Sequence, residues 1–82
     1  MANNRINKIK MKKTISDLKE IIRLGGGMNL DATLFTVSEL KDFVKLAEIS
    51  GATISVINTE RLSVYDLKTI ARLGGGKVIF EF

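Results

Sequence analysis

The sequence predicts an α/β fold, a short solenoid-like αβ-repeat domain. Three helices are expected on one face of a three- to four-stranded, mainly parallel sheet. Three observations predict it. First, one helix–strand unit recurs in residues 14–35, 36–57 and 58–82, and self-similarity at such a period marks a repeat architecture. Leu18, Leu40 and Leu67 form one column of the superposed copies, 22 and then 27 residues apart, and Leu24, Leu46 and Leu73 form another. Second, each copy opens on a hydroxyl residue with an acid three positions later: Thr14–Asp17, Thr36–Glu39 and Ser63–Asp66. That spacing is the capping-box signature of a helix start. Third, each copy closes its helix with glycine and continues into apolar alternation, the period of a strand.

The chain divides into an N-terminal segment, 1–13, and a single repeat domain, 14–82. Arg5, Lys8, Lys10, Lys12 and Lys13 give the first part a charge of +5, whereas eight Lys/Arg and nine Asp/Glu leave the second at −1. Lys8, Lys10 and Lys12 alternate with Ile9 and Met11. Two readings stay open for 7–12: an edge strand, in which lysine deters unwanted pairing, or a basic arm.

Helices are expected at about 15–24, 37–49 and 64–73. Phe35 and Leu62 stand just before the caps at Thr36 and Ser63, with Leu40 and Leu67 at the fourth helical position. Each pair fits a hydrophobic staple. Leu18, Ile21 and Ile22 make an apolar stripe on the first helix. Leu40, Phe43, Val44 and Ala47 do so on the second, and Leu67, Ile70 and Ala71 on the third. Such a stripe buries one face of a helix. Gly25–Gly27 and Gly74–Gly76 are expected to end the first and third helices, and Gly51 the second, because glycine tolerates the left-handed conformation common at a helix C-terminus. These glycines follow a helix, and a phosphate cradle needs them before one.

Strands are expected at about 28–34, 52–57 and 77–82. Met28, Leu30, Ala32 and Leu34 would oppose Asn29, Asp31 and Thr33. Ile54 and Val56 would oppose Thr53 and Ser55. Val78, Phe80 and Phe82 would oppose Lys77, Ile79 and Glu81. Strands joined through a helix are normally parallel. Parallel strands covered on both faces read as continuous apolar runs, and these alternate, so one sheet face is expected to stay open. The plan is similar to that of leucine-rich-repeat proteins, without their LxxLxLxxN signature. The unit L-S/T-x-x-D-L-K-x-I-A-R-L-G-G-G-x-V-x-F, carried by residues 14–82, resembles small bacterial or phage αβ-repeat proteins of unassigned function. The shared motif consists of caps, leucines and glycines, so the resemblance implies an architecture and no active site.

Composition restricts the function. There is no histidine and no cysteine, which removes the commonest general base and metal ligand as well as thiolate chemistry. The sole tyrosine, Tyr65, falls in a helix's first turn. Asp17, Glu39 and Asp66 recur in register, and capping and the helix dipole account for them. No catalytic residue, cofactor or metal site is expected, and the chain is read as a non-enzyme. No apolar run approaches the length needed to cross a bilayer. Ser16, Asp17, Lys19 and Glu20 interrupt any secretory apolar segment after the basic stretch, so a cytoplasmic protein is expected.

An 82-residue chain that is 45% apolar, with a mean hydropathy of +0.14, has little interior in which to hide apolar surface. A partner is therefore expected, first of all a second copy in a homo-oligomer, most simply a dimer. Its predicted edge is Val78, Ile79, Phe80 and Phe82. Asn29, Asp31, Thr33, Thr53, Ser55, Lys77 and Glu81 are the predicted surface for a protein partner or small ligand, since sheet faces of repeat proteins commonly bind. The alternative is a nucleic-acid-binding accessory protein that meets phosphates with Arg5, Lys8, Lys10, Lys12 and Lys13. Lys19–Arg23, Lys41–Lys45 and Lys68–Arg72 also recur as i,i+4 cation pairs. Their neighbours Asp17, Glu20 and Asp42 favour a solvated face.

Overall fold

The computed structural model describes residues 13–82. The predicted segment 7–12 lies outside them, as do Arg5, Lys8, Lys10 and Lys12. Helix α1 spans Ile15–Arg23, strand β1 Met28–Asp31, α2 Val37–Ser50, β2 Ile54–Ile57, α3 Val64–Gly74 and β3 Val78–Phe80, with a 3-10 turn at Ala32–Leu34. The fold is α/β, and the three-stranded sheet is parallel, ordered β1-β2-β3. Spatial order follows chain order.

The helix starts have a chemical cause. Thr14 and Asp17 form a full capping box on α1, and Thr36 and Glu39 form one on α2. Ser63 accepts from the Asp66 amide at 3.0 Å. There the predicted box is only half made, because the Asp66 side chain does not return a bond to the Ser63 amide. The helices end where the chain needs a residue with positive φ, at Gly51 after α2 and at Gly75 after α3 (φ 55°). Helix α3 runs one residue further than predicted, taking in Gly74.

Ile22, Leu40, Phe43, Val44, Ala47 and Ile70 from the helices share one core with Leu30, Ile54 and Val56 from the sheet. Phe35, just before the α2 cap, meets Phe43 edge to face with centroids 5.2 Å apart. Two stripe residues depart from expectation: Ile21 is 40% exposed and Ala71 is exposed. Both sit beside the true core positions Ile22 and Ile70, so the buried stripe is narrower than the sequence suggests.

The strands are shorter than predicted. Asp31 ends β1 by capping the next turn: its Oδ1 accepts from the Thr33 amide at 2.9 Å and the Thr33 hydroxyl at 2.6 Å. The alternation predicted to continue through Thr33 and Leu34 therefore stops. Ala32 is still buried, and Leu34 is exposed. Ala52 and Thr53 precede β2 without joining it, and β3 ends at Phe80. Pairing persists one step further, because the Glu81 amide donates to the Val56 carbonyl at 3.0 Å. Phe82 does not join the core and is 94% exposed. Its ring stacks on Phe80 at 6.1 Å.

Candidate functional site

The predicted binding face is assembled by register. Asn29 pairs with Ser55 and Ser55 with Ile79, while Asp31 pairs with Ile57. These positions alternate with the core residues Leu30, Ile54 and Val56, so they form the face that the core does not use. Thr53 and Lys77 stand one step before the strands, and Glu81 one step after β3. Two features differ from expectation. Thr33 is drawn into the Asp31 turn and does not extend the face. Ile57, which shares its parity with Thr53 and Ser55, adds a second aliphatic side chain beside Ile79. The face is a mixed surface, with two isoleucines set among polar groups.

At the β3 edge, Ile79 is half exposed and Phe82 almost fully so, while Val78 and Phe80 pack against the core. The direction of the backbone here follows from three hydrogen bonds. Met28 donates to Thr53 O at 3.2 Å, Ile54 to Lys77 O at 2.8 Å, and Glu81 to Val56 O at 3.0 Å. Amides alternate along a parallel strand, so the Ile79 amide points inward like that of Glu81. The outward amides are those of Val78 and Phe80. By the same rule Asn29 turns its amide away from β2, to the outer edge of β1.

That outer edge holds an apolar groove of about 440 Å³. Leu18 of α1, Met28 and Leu30 of β1, and Leu34 and Phe35 of the following turn line it, joined by Asn29, Asp31 and Ile57. Sequence reasoning missed this site. Leu46 lines the cleft between α1 and α2, and Leu73 packs on the core. Leu24, at the equivalent position, is 84% exposed. Helix α1 packs on α2 and α2 on α3, whereas no helix precedes α1 among the described residues. Apolar surface is thus presented just after α1, at Leu24, and along β1.

The cleft between α1 and α2 brings together Lys19, Arg23 and Lys45 with Asp42. Lys19 and Asp42 pair at 3.6 Å, which offsets part of the positive field. Lys13, the one described member of the predicted phosphate contacts, is exposed. Among the described residues no group of three or more acids could hold a metal ion, and no helix is long and apolar enough to cross a membrane.

Arg61 was not singled out in the sequence. Its Nη2 donates to the carbonyls of Ala32 and Phe35, tying the β2–α3 loop to the β1–α2 loop. A long-range bond from a loop arginine leaves no periodic signature. Comparison of the chain with protein-family models, with curated proteins and with solved structures returns no match.

Proposed function

We propose that the chain is a non-catalytic, self-assembling interaction module that binds a protein partner or a small ligand. Its plan is a short solenoid-like stack, with the three helices on one face of the sheet and the opposite face open. The observation that carries this reading is the β3 edge. Unpaired main-chain groups along an edge strand are a template for another strand. Here the outward amides of Val78 and Phe80 are flanked by half-exposed Ile79 and by Phe82 at 94% exposure. A homodimer through this edge covers both side chains and closes about a two-fold axis. The mixed surface of Asn29, Ser55, Ile57 and Ile79 then supplies the partner or ligand contacts, with Thr53, Lys77 and Glu81 at its borders. Light scattering on the full chain at micromolar concentration tests the assembly. A mass above one protomer is expected, and a strictly monomeric protein across that range overturns it.

A further inference from the structure

The cleft between α1 and α2 carries a charge that the rest of the domain does not. Lys19 and Arg23 of α1 and Lys45 of α2 line it, together with Leu46 and a single carboxylate, that of Asp42. Three cations against one acid leave it at +2, on a domain, residues 14–82, whose net charge is −1. The excess is local and does not follow from composition. Nor do the acids nearby in sequence cancel it. Asp17 Oδ2 accepts from the Thr14 amide at 3.1 Å in the α1 cap, and Glu20 is exposed and does not line the cleft. Only Asp42 offsets the field there.

Two of the cations have no acid to serve. Among the described residues Arg23 and Lys45 form no ion pair, and residues 1–12 contain no Asp or Glu. Lys19 meets Asp42 at 3.6 Å. That is beyond hydrogen-bond distance, so its ammonium can still donate to a second acceptor. Helix formation does not ask for this arrangement. Lys19 and Arg23 stand one turn apart on α1, and like charges at that spacing repel. Arg23 lies in the last turn of α1, where a cation complements the helix dipole. Lys19 and Lys45 lie outside the last turns of their helices and have no such role. The Lys19 side chain is 29% exposed, and partial burial strengthens a charge–charge contact over its value in open water.

We propose that this cleft binds a phosphate group of a small ligand, with the Arg23 guanidinium and the Lys19 and Lys45 ammonium groups as donors. A guanidinium grips two phosphate oxygens in a planar fork, and each ammonium adds a point charge. The dimensions commit the site to a small molecule. The cleft holds about 280 Å³, room for one or two phosphate groups. The three helices carry their cations as i,i+4 pairs, which would suit a nucleic-acid backbone if all of them formed one surface. Lys41, Lys68 and Arg72 do not line this cleft. None of its residues belongs to β3 or to the polar sheet face, so the proposal stands independently of the self-assembly reading.

Titration of the full chain with inorganic pyrophosphate tests it, followed by nuclear magnetic resonance with sodium chloride holding the ionic strength constant. Amide shifts should move at Lys19, Arg23, Lys45 and Leu46 and should saturate. Arg23→Gln and Lys45→Gln should each weaken binding roughly tenfold, the loss of one charge-assisted hydrogen bond. Both side chains are exposed, so neither variant should unfold. Asp42→Asn removes the one opposing carboxylate and should tighten binding. Lys68→Gln makes the same change in net charge as Arg23→Gln, on α3 and away from the cleft, and should leave the affinity as it is. Equal weakening by Lys68→Gln and Arg23→Gln would reduce the effect to net charge and overturn the proposal. So would shifts confined to residues 1–13, or the absence of any saturable shift. A short DNA duplex that binds through Arg23 and Lys45 more tightly than pyrophosphate would overturn it too, by assigning the cleft to a nucleic-acid backbone.

Discussion

Thr36 and Glu39 cap α2 reciprocally: Thr36 Oγ1 accepts from the Glu39 amide at 3.1 Å, and Glu39 Oε1 accepts from the Thr36 amide at 2.9 Å. Each bond satisfies an amide that the helix itself leaves without a partner. Thr36→Ala removes the hydroxyl half and is expected to destabilise the fold by about 1 kcal/mol. Chemical denaturation measures this. Ser63→Ala should cost less, because only the hydroxyl half of that cap is made. Equal losses at the two positions would show that the reciprocal bond contributes nothing.

Two glycines should resist substitution for different reasons. At Gly75, φ is 55° and an added Cβ would stand 2.7 Å from Glu48 Cγ. Positive φ is costly for a branched residue, so Gly75→Val should destabilise by about 1–3 kcal/mol. At Gly27 φ is unexceptional, but an added Cβ would lie 2.6 Å from the Thr53 carbonyl oxygen. The obstacle there is rigid backbone between β1 and β2, so Gly27→Ala alone should lower the melting temperature. An unchanged melt in Gly27→Ala would mean that the two strands separate more easily than their spacing implies.

Much of this fold is legible in the sequence, because its determinants are local. Caps, a leucine column and closing glycines each act within a few residues, and the three helices and three strands follow from them. Strand ends were less legible. Whether Asp31 continues a strand or caps a turn depends on a side chain folding back two residues to Thr33, and alternation cannot register that. The sheet face away from the core was legible through parity for Asn29, Thr53 and Ser55, while Thr33 leaves it because of the Asp31 turn. The groove under Leu18 was not legible at all. It depends on how α1, β1 and the Ala32–Leu34 turn meet in space, which no local pattern encodes. Leu24 and Leu46 are the same residue type in the same column, but Leu24 caps the end of α1 whereas Leu46 lies inside α2.

Arg61 gives a third prediction. Its guanidinium serves the carbonyls of Ala32 and Phe35 together, and hydrogen bonds from a charged donor contribute more than neutral ones. Arg61→Met keeps an aliphatic stem and removes both bonds. It is expected to cost about 1–3 kcal/mol and to speed amide exchange in the Ala32–Phe35 turn. Arg61→Lys should recover only part of the loss, since one ammonium lacks the planar fork. Full recovery by lysine would reduce the contact to simple charge.

The last prediction separates the β3 edge from the core that supports it. The strand's main-chain directions exclude one obvious probe. Ile79→Pro would delete an inward amide, since the Ile79 N–H points toward β2 as Glu81 does toward Val56, and so would break the sheet and leave the edge donors in place. Proline at Val78 or Phe80 would remove an outward donor but disturb side chains packed on the core. Side chains are the cleaner handle. Ile79 is half exposed and Phe82 is 94% exposed, so changing them leaves the buried cluster untouched. Ile79→Lys with Phe82→Lys puts two like charges where a paired edge would have to bury them, and uncompensated charge is expensive to bury. The double variant should melt close to the wild type yet scatter light as one protomer at concentrations where the wild type scatters as more than one. Retention of the wild-type mass by a folded double variant would move the interface away from β3, and the exposed Ile21 of α1 and Leu24 just after it would be the next place to look.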